Sequence, residues 1–218
     1  MSTRRTLLGL SFVFPIVFAI ATLSCSSGGT TASSGDTFSD TGIANVDLAG
    51  VNWSCTTPAW TQPTCAPGTV THPPLQKADH IDLPTPISYT DVPPSSGPHR
   101  PVWGKWGTYT FLPPQRWVHN LEHGAVALLY HPCLPASEVA KLKAWAETVQ
   151  ADAGGAFRWV LTPYPGLQSA MALVAWGHVY QASCWNPSEA NDFVKNFYRQ
   201  APEDEAGSGG YSEMWLGL

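Results

Sequence analysis

The chain has 218 residues, enough for one ordinary domain and a tail. Only 12% of the residues are charged and 44% are hydrophobic, which excludes wholesale disorder and indicates a packed core. The formal net charge is -5, and Lys and Arg together number 11. A nucleic-acid-binding protein would carry a basic stripe, so this composition argues against nucleic acid as a partner.

Residues 1–24 are predicted to be an export signal. Arg4 and Arg5 precede an apolar stretch over residues 7–23, which is the order of a signal peptide. The alternative is a membrane-spanning helix. That apolar stretch is near the short end for spanning, and Pro15 interrupts it, so the signal peptide is the better interpretation.

Cys25 is predicted to carry a lipid anchor. The segment before it resembles a bacterial lipobox, although Thr22 stands where Leu is usual. Residues 26–42 are rich in Ser, Gly and Thr, so they cannot bury enough apolar surface to fold and would form a tether. Ser26, rather than Asp, follows Cys25. By resemblance to Gram-negative lipoproteins, this favours sorting to the outer membrane. The predicted location is therefore the cell envelope, at the periplasmic face of the outer membrane, with plain secretion as the alternative.

The other four cysteines are Cys55, Cys65, Cys133 and Cys184. An even number in an exported chain predicts two disulfides. The preferred pairing joins Cys55 to Cys65 across a short loop and Cys133 to Cys184 at the ends of two core segments. The alternative is a soft metal bound by thiolates, but no CxxC or CxC spacing supports it.

Residues 43–218 are predicted to form a single α+β domain. Prolines recur throughout residues 43–115, so regular elements must be short there, with edge strands near residues 87–89 and 107–111. This Pro-rich N-terminal arm is expected to wrap the rest of the domain. The acidic, Gly-rich residues 202–210 are expected to fray.

The second half of the chain predicts a β-α-β-β-α core. Ser137 is the expected N-cap of its first helix. The first crossover should be parallel, and the two strands that follow should form an antiparallel hairpin, giving a small mixed sheet. The predicted elements are a strand at 125–130, a helix at 137–149, strands at 157–162 and 170–176 (the latter with 181 as an alternative end), and a helix at 189–200.

Histidines occur in two dense motifs. His99 ends the tight loop SSGPH, and the segment VHNLEHG contains His119 and His123, four residues apart. On one helical turn the side chains of His119 and His123 would face the same way and could bind one metal ion. Glu122 could be a further ligand, or it could lie outside the ligands and accept a hydrogen bond from an imidazole N–H.

The strings SSGPH, VHNLEHGAVALLY and AWGH, with a Trp-rich spacer after the first, resemble the bacterial DUF3105 family. Its members are exported or membrane-tethered domains of unknown function. The resemblance covers roughly residues 75–200. It implies a shared fold and a His-rich centre but no assigned reaction, and His80 lies where the family's opening segment often has a His.

The leading hypothesis is a metal site formed by His99, His119 and His123, with His80 as a possible fourth ligand. Imidazole ligands suit copper and zinc, and copper is slightly preferred because it heads the affinity order. An exported lipoprotein with such a site would buffer, deliver or sense the metal. The alternative is that the histidines only pin the Pro-rich arm to the sheet through hydrogen bonds.

Two other classes of function compete with metal binding. The string His119-x-x-Glu122-His123 also spells a zinc-peptidase motif, with Glu122 activating water. That motif needs a helix that continues beyond it, whereas Gly124 follows here, so an enzyme is disfavoured. The third class is a binding module for a glycan or a protein partner, using Trp103, Trp106 and Trp117; packing of the arm is the simpler role for these rings.

Overall fold

The computed structural model describes residues 65–212, which all belong to one structural unit. The predictions about the export signal, the tether, Cys25 and Cys55 lie outside the described residues. Among residues 65–212, no helix has the length and apolar character needed to cross a membrane.

Within residues 65–212, six strands form one mixed sheet: β1 (Thr69–Thr71), β2 (Gly107–Thr108), β3 (Val126–Tyr130), β4 (Trp159–Pro163), β5 (Met171–Ala175) and β6 (His178–Ala182). Their order across the sheet is β1-β6-β5-β3-β4-β2. The central strands β3 and β5 are apolar along nearly their whole length, as expected when both faces of a sheet are covered. Strands β3, β4 and β2 run parallel, and the other pairs are antiparallel.

In the part of the chain that the structure describes, three helices cover the two faces of this sheet: α1 (Pro114–Glu122), α2 (Ala136–Thr148) and α3 (Pro187–Phe197). Alternate residues of a strand point to opposite faces. Val126 and Leu128 therefore pack in the core with α2 and α3, whereas Ala127 and Leu129 pack in the core with α1. The α+β class and the small mixed sheet are confirmed.

Helix α1 is the element that sequence reasoning missed, because the paired prolines before it indicated a break. Pro114 instead occupies the first turn, where its missing N–H costs nothing and its φ suits a helix. Every residue from Gln115 to Glu122 is buried. A short helix buried this completely places its polar side chains inside the protein.

The predicted hairpin after β4 is wrong. The parallel β3–β4 pair is confirmed, but β5 lies on the other edge of β3, antiparallel to it. The strand predicted to reach residue 181 is divided into β5 and β6 at Gly177, whose φ of 75° suits glycine. β3 therefore has a partner along both edges, which satisfies its buried backbone groups.

Two smaller predictions also need correction. Residues 87–89 form no strand, and of residues 107–111 only Gly107–Thr108 do. Pro135 holds the N-cap position of α2, and Ser137 lies in its first turn. Asn186 caps α3, because its side chain accepts hydrogen bonds from the N–H groups of Ser188 and Glu189.

The disulfide pairing also differs from the prediction. Cys65 is bonded to Cys184, which excludes both predicted pairs. Cys133 is disulfide-bonded as well. The register of the sheet explains the observed bond: antiparallel pairing of β1 with β6 places Thr69 opposite Gln181, so the residues before β1 run beside those after β6.

Replacing both Cys65 and Cys184 by alanine is expected to lower the free energy of unfolding by about 2–5 kcal/mol. The bond closes a loop with a sequence separation of 119, so it removes much conformational freedom from the unfolded chain. Urea unfolding under oxidising conditions measures the change. An unchanged midpoint would show that the β1–β6 ladder alone holds this edge.

Candidate metal centre

Helix α1 positions three side chains at its C-terminal end. His119 and Glu122 are three residues apart and share a face of the helix. His123 is the C-cap residue, and its N–H donates to the His119 carbonyl at 3.2 Å. All three are buried, with exposures of 1% for His119, 6% for Glu122 and 4% for His123.

The Pro-rich segment before α1 supplies two more histidines. His80 and His99 lie side by side in a short parallel bridge. The Ile81 N–H donates to the His99 carbonyl at 2.8 Å, and the His99 N–H donates to the Asp79 carbonyl at 2.9 Å. His99 is fully buried, whereas the His80 side chain is 53% exposed, so the cluster reaches solvent at His80.

The side chains of these two segments converge on Glu122. The ligand atoms of His80, His99, His119 and Glu122 all lie within 4.8 Å of one another. Glu122 Oε2 is 3.0 Å from His99 Nε2, 3.7 Å from His119 Nε2 and 3.8 Å from His80 Nε2. Atoms that each lie about 2 Å from one ion would have such separations, so this group could hold a metal ion.

Backbone carbonyls set the tautomers of the two most buried rings. His99 Nδ1 lies 2.8 Å from the Gly97 carbonyl, and His119 Nδ1 lies 2.7 Å from the Arg100 carbonyl. A carbonyl only accepts, so each Nδ1 carries the proton and donates. In a neutral ring the Nε2 lone pair is then free and points into the cluster, an arrangement common among metal-binding histidines.

Burial shifts the acid–base equilibria of these groups. Desolvation lowers the pKa of His99 to about 4 and that of His119 to about 3, against opposing hydrogen bonds to carbonyls. Desolvation also lowers the pKa of His123. Burial, with a smaller contribution from Glu203, raises the pKa of Glu122 to about 7. The protein environment thus favours neutral imidazoles and disfavours an isolated carboxylate charge, which a bound cation would offset.

His123 lies at the flank of the cluster rather than at its centre. Its Nε2 is 3.1 Å from His119 Nε2 and 3.2 Å from Glu203 Oε2. The ligand atoms of Glu122, His123 and Glu203 form a second group within 4.8 Å. All four predicted histidines therefore meet around Glu122, with His123 on the side of Glu203.

Glu203 was missed because the acidic segment that contains it was expected to fray. Instead, the Glu203 N–H donates to the Glu122 carbonyl at 3.0 Å. Arg158 Nη1 donates to the His123 carbonyl at 2.9 Å and to Asp204 Oδ1 at 2.6 Å. Arg158 is 2% exposed, and a buried arginine needs partners. This Arg next to an apolar strand was the available signal that an acidic segment would fold back.

Tryptophan rings pack around the cluster. The Trp103 ring centroid lies 4.7 Å from that of His119 and 4.2 Å from that of His123. Trp117 is fully buried and Trp106 is partly buried, both in the core on the α1 side. Trp117 therefore cannot bind an external partner, and for Trp106 and Trp117 the packing role is confirmed.

Acid is expected to loosen the segment that carries Glu203. Hydrogen bonds from Arg199, and then from Arg158, lower the pKa of Asp204 from 3.8 to about 2. A lowered pKa in the folded state stabilises the fold above the unfolded value, and this stabilisation is lost as the pH falls from about 4 toward 2. Urea midpoints measured between pH 6 and pH 2 should fall less steeply for Asp204→Asn than for the parent. The exposed Asp192→Asn in α3 is the control, and parallel profiles for Asp204→Asn and the parent would contradict the expectation.

The same residues were compared with known proteins. A family model described as "Protein of unknown function (DUF3105)" matches residues 80–210. The match covers more than half of the chain, and it contains every residue of the cluster as well as Glu203. Searches of curated proteins and of solved structures gave no match.

Proposed function

The chain belongs to the DUF3105 family, as its motifs indicated, and we propose that it binds a transition-metal ion at the cluster of His80, His99, His119 and Glu122. The family description assigns no function, so support comes from the residues of this chain. Copper is the preferred metal, with zinc second. The protein would buffer, deliver or sense this metal in the cell envelope, anchored to the membrane through Cys25 and open to an unidentified protein partner.

The contact between His99 and Glu122 is the observation that carries the proposal. His99 Nε2 and Glu122 Oε2 are 3.0 Å apart, yet both are buried and neither has a hydrogen-bond partner. The His99 proton is on Nδ1, so two lone pairs face each other. Such a contact is costly unless a cation lies between the two atoms or the carboxyl group is protonated.

A purely structural role for the histidines explains only the Nδ1 side of the His99 and His119 rings. The Nδ1 atoms of His99 and His119 do pin the backbone at Gly97 and Arg100. Hydrogen bonding of that kind leaves the buried His99 Nε2 without a partner inside the cluster. We therefore interpret the Nδ1 contacts as the outer hydrogen bonds that orient metal ligands.

The donor set favours copper or zinc over other ions. Three imidazoles and one carboxylate suit both metals, and copper(II) binds more tightly than zinc to a given set of nitrogen and oxygen ligands. Thiolate ligands do not compete among the described residues, because Cys65, Cys133 and Cys184 are disulfide-bonded. This chemistry supports an imidazole-based site in an oxidising compartment.

The geometry favours binding over peptide hydrolysis. In the hydrolase hypothesis Glu122 must be free to activate water, as in other zinc enzymes with this string. Here its Oε2 lies among the imidazole nitrogens, where a metal ligand would be. Helix α1 also ends at Glu122, so the motif lies in a terminal turn rather than within a continuing helix.

Metal content of the purified full-length chain tests the proposal directly. The protein would be stripped with a chelator, dialysed against Cu²⁺ and Zn²⁺ separately and together, and subjected to elemental analysis. We expect at least one equivalent of either ion alone and mainly copper from the mixture. A folded sample that retains neither ion would contradict the proposal, and retention of zinc from the mixture would reverse the order of the metals.

Copper binding is also expected to quench tryptophan fluorescence, because Trp103 packs directly against His119 and His123. Trp103→Phe should reduce the quenched amplitude while leaving the copper stoichiometry unchanged. Trp185→Phe is the matched control, since Trp185 packs against Trp145. Equal quenching in Trp103→Phe and the parent would place the bound copper elsewhere.

A further inference from the structure

The cluster has a second set of donor atoms beside the first. We propose that the centre binds two metal ions, and that the Glu122 carboxylate bridges the first ion to a second ion held by His123 and Glu203. This inference rests on the proposed function, because the bridge needs an ion in the first position. It adds a metal position and two ligands to that site.

The two donor groups share one residue. Ligand atoms of His80, His99, His119 and Glu122 form one group, and those of Glu122, His123 and Glu203 form the other, each within 4.8 Å. A carboxylate has two oxygens and can bind one ion with each. In two-metal sites the ions lie about 3.5–4 Å apart, a distance that a bridging carboxylate spans.

His123 differs from the other buried histidines in how its ring is held. Its Nδ1 is buried and has no hydrogen-bond partner, whereas the Nδ1 atoms of His99 and His119 each donate to a carbonyl. The His123 ring is thus placed by the contacts of its Nε2 and by a tilted contact with the Trp103 ring, whose centroid lies 4.2 Å away.

His123 Nε2 lies between two other potential ligand atoms. This atom faces His119 Nε2 at 3.1 Å and Glu203 Oε2 at 3.2 Å. His119 has its proton on Nδ1, so both neighbours are acceptors. One N–H on His123 cannot satisfy both acceptors with good geometry. An ion bound by His123 and Glu203 removes that conflict.

A single ion shared by all the histidines would not explain Glu203. Its backbone is held in place beside the cluster by the hydrogen bond to the Glu122 carbonyl. Arg158 links the His123 carbonyl to the neighbouring Asp204, which fixes the same segment from the other side. The Glu203 side chain is 60% exposed and would give an incoming ion a solvent-facing ligand.

The ligands of the second position are harder, in the sense of hard and soft metal ligands, than those of the first. It offers one imidazole and two carboxylates, whereas the first offers three imidazoles and one carboxylate. Carboxylates favour harder ions such as manganese, and zinc also accepts them. Zinc suits both positions and is therefore the probe for counting them.

Zinc stoichiometry of the full-length protein tests this inference. Chelator-stripped protein would be equilibrated with Zn²⁺, and the bound metal would be measured by elemental analysis and by calorimetric titration. We expect about two equivalents for the parent and about one for Glu203→Gln. Glu205→Gln is the matched control on the same exposed segment and should retain two. Circular dichroism would verify that each variant is folded.

The outcomes separate the two proposals. One equivalent in both the parent and Glu203→Gln would overturn the two-ion centre and leave the proposed function intact. Two equivalents in Glu203→Gln would also overturn it, because the second ion would then not need this carboxylate. No zinc and no copper bound to folded parent protein would reject the proposed function itself.

Discussion

Replacing His119 by glutamine is expected to lower the metal affinity of the centre by more than the roughly 10–100-fold that loss of an outer hydrogen-bond partner costs. His119 is buried, its Nδ1 is held by the Arg100 carbonyl, and its Nε2 points into the cluster. A glutamine amide can still donate to that carbonyl, so packing and orientation would be kept while the imidazole lone pair is lost.

Competition with a chromophoric chelator measures this loss for Cu²⁺ and Zn²⁺. His131→Gln is the matched control, because His131 is also buried but its Nδ1 accepts from the Cys133 N–H, away from the cluster. Both variants would be checked by thermal unfolding. If His119→Gln binds metal as tightly as His131→Gln, the imidazole of His119 is not a ligand.

The second large effect is expected from Arg100→Met, which should lower the free energy of unfolding by about 3 kcal/mol. Arg100 is fully buried, and its Nη1 donates to three carbonyls of the preceding segment: those of Ile81 at 3.0 Å, Asp82 at 3.2 Å and Thr85 at 2.8 Å. Hydrogen bonds from a charged donor contribute about 1.5–3 kcal/mol each. In the variant, water can hydrogen-bond to the less buried of these carbonyls. The expected loss of stability is therefore smaller than the sum of the three hydrogen-bond contributions.

The same substitution should also weaken metal binding. The three carbonyls lie one to five residues after His80, so releasing them would loosen the segment that carries this histidine. Urea unfolding of the metal-free protein measures the stability change, and chelator competition measures the affinity. Lys105→Met, on an exposed side chain, is the control. Unchanged stability in Arg100→Met would mean that the segment is held by its other contacts.

Local sequence patterns predict many of the strands and helices. The apolar runs that became β3, β4 and β5 are visible in the sequence because buried strands need continuous apolar residues. The apolar positions of α2 follow the helical period, and Leu142, Trp145 and Ala146 are buried as that period requires. Helix α1 was missed because it is short and begins at paired prolines, although Trp117, Val118 and Leu121 do lie on one side of it.

The spacing of His119, Glu122 and His123 was enough to predict that these three would lie together, because one helical turn places residues three and four apart on one face. The SSGPH motif likewise singled out His99. Neither motif could show that His99 Nε2 would meet Glu122 Oε2, since that contact depends on how the Pro-rich segment packs against α1.

Tertiary structure alone decided the remaining features. The Cys65–Cys184 bond follows from the β1–β6 register, and β5 lies beside β3 because that buried strand needs a partner on each edge. Glu203 reaches His123 because buried Arg158 draws the acidic segment back through Asp204. Composition and periodicity predict which side chains must be buried and which share a helical face. Contacts between distant segments form only when the whole chain packs and every buried charge finds a partner.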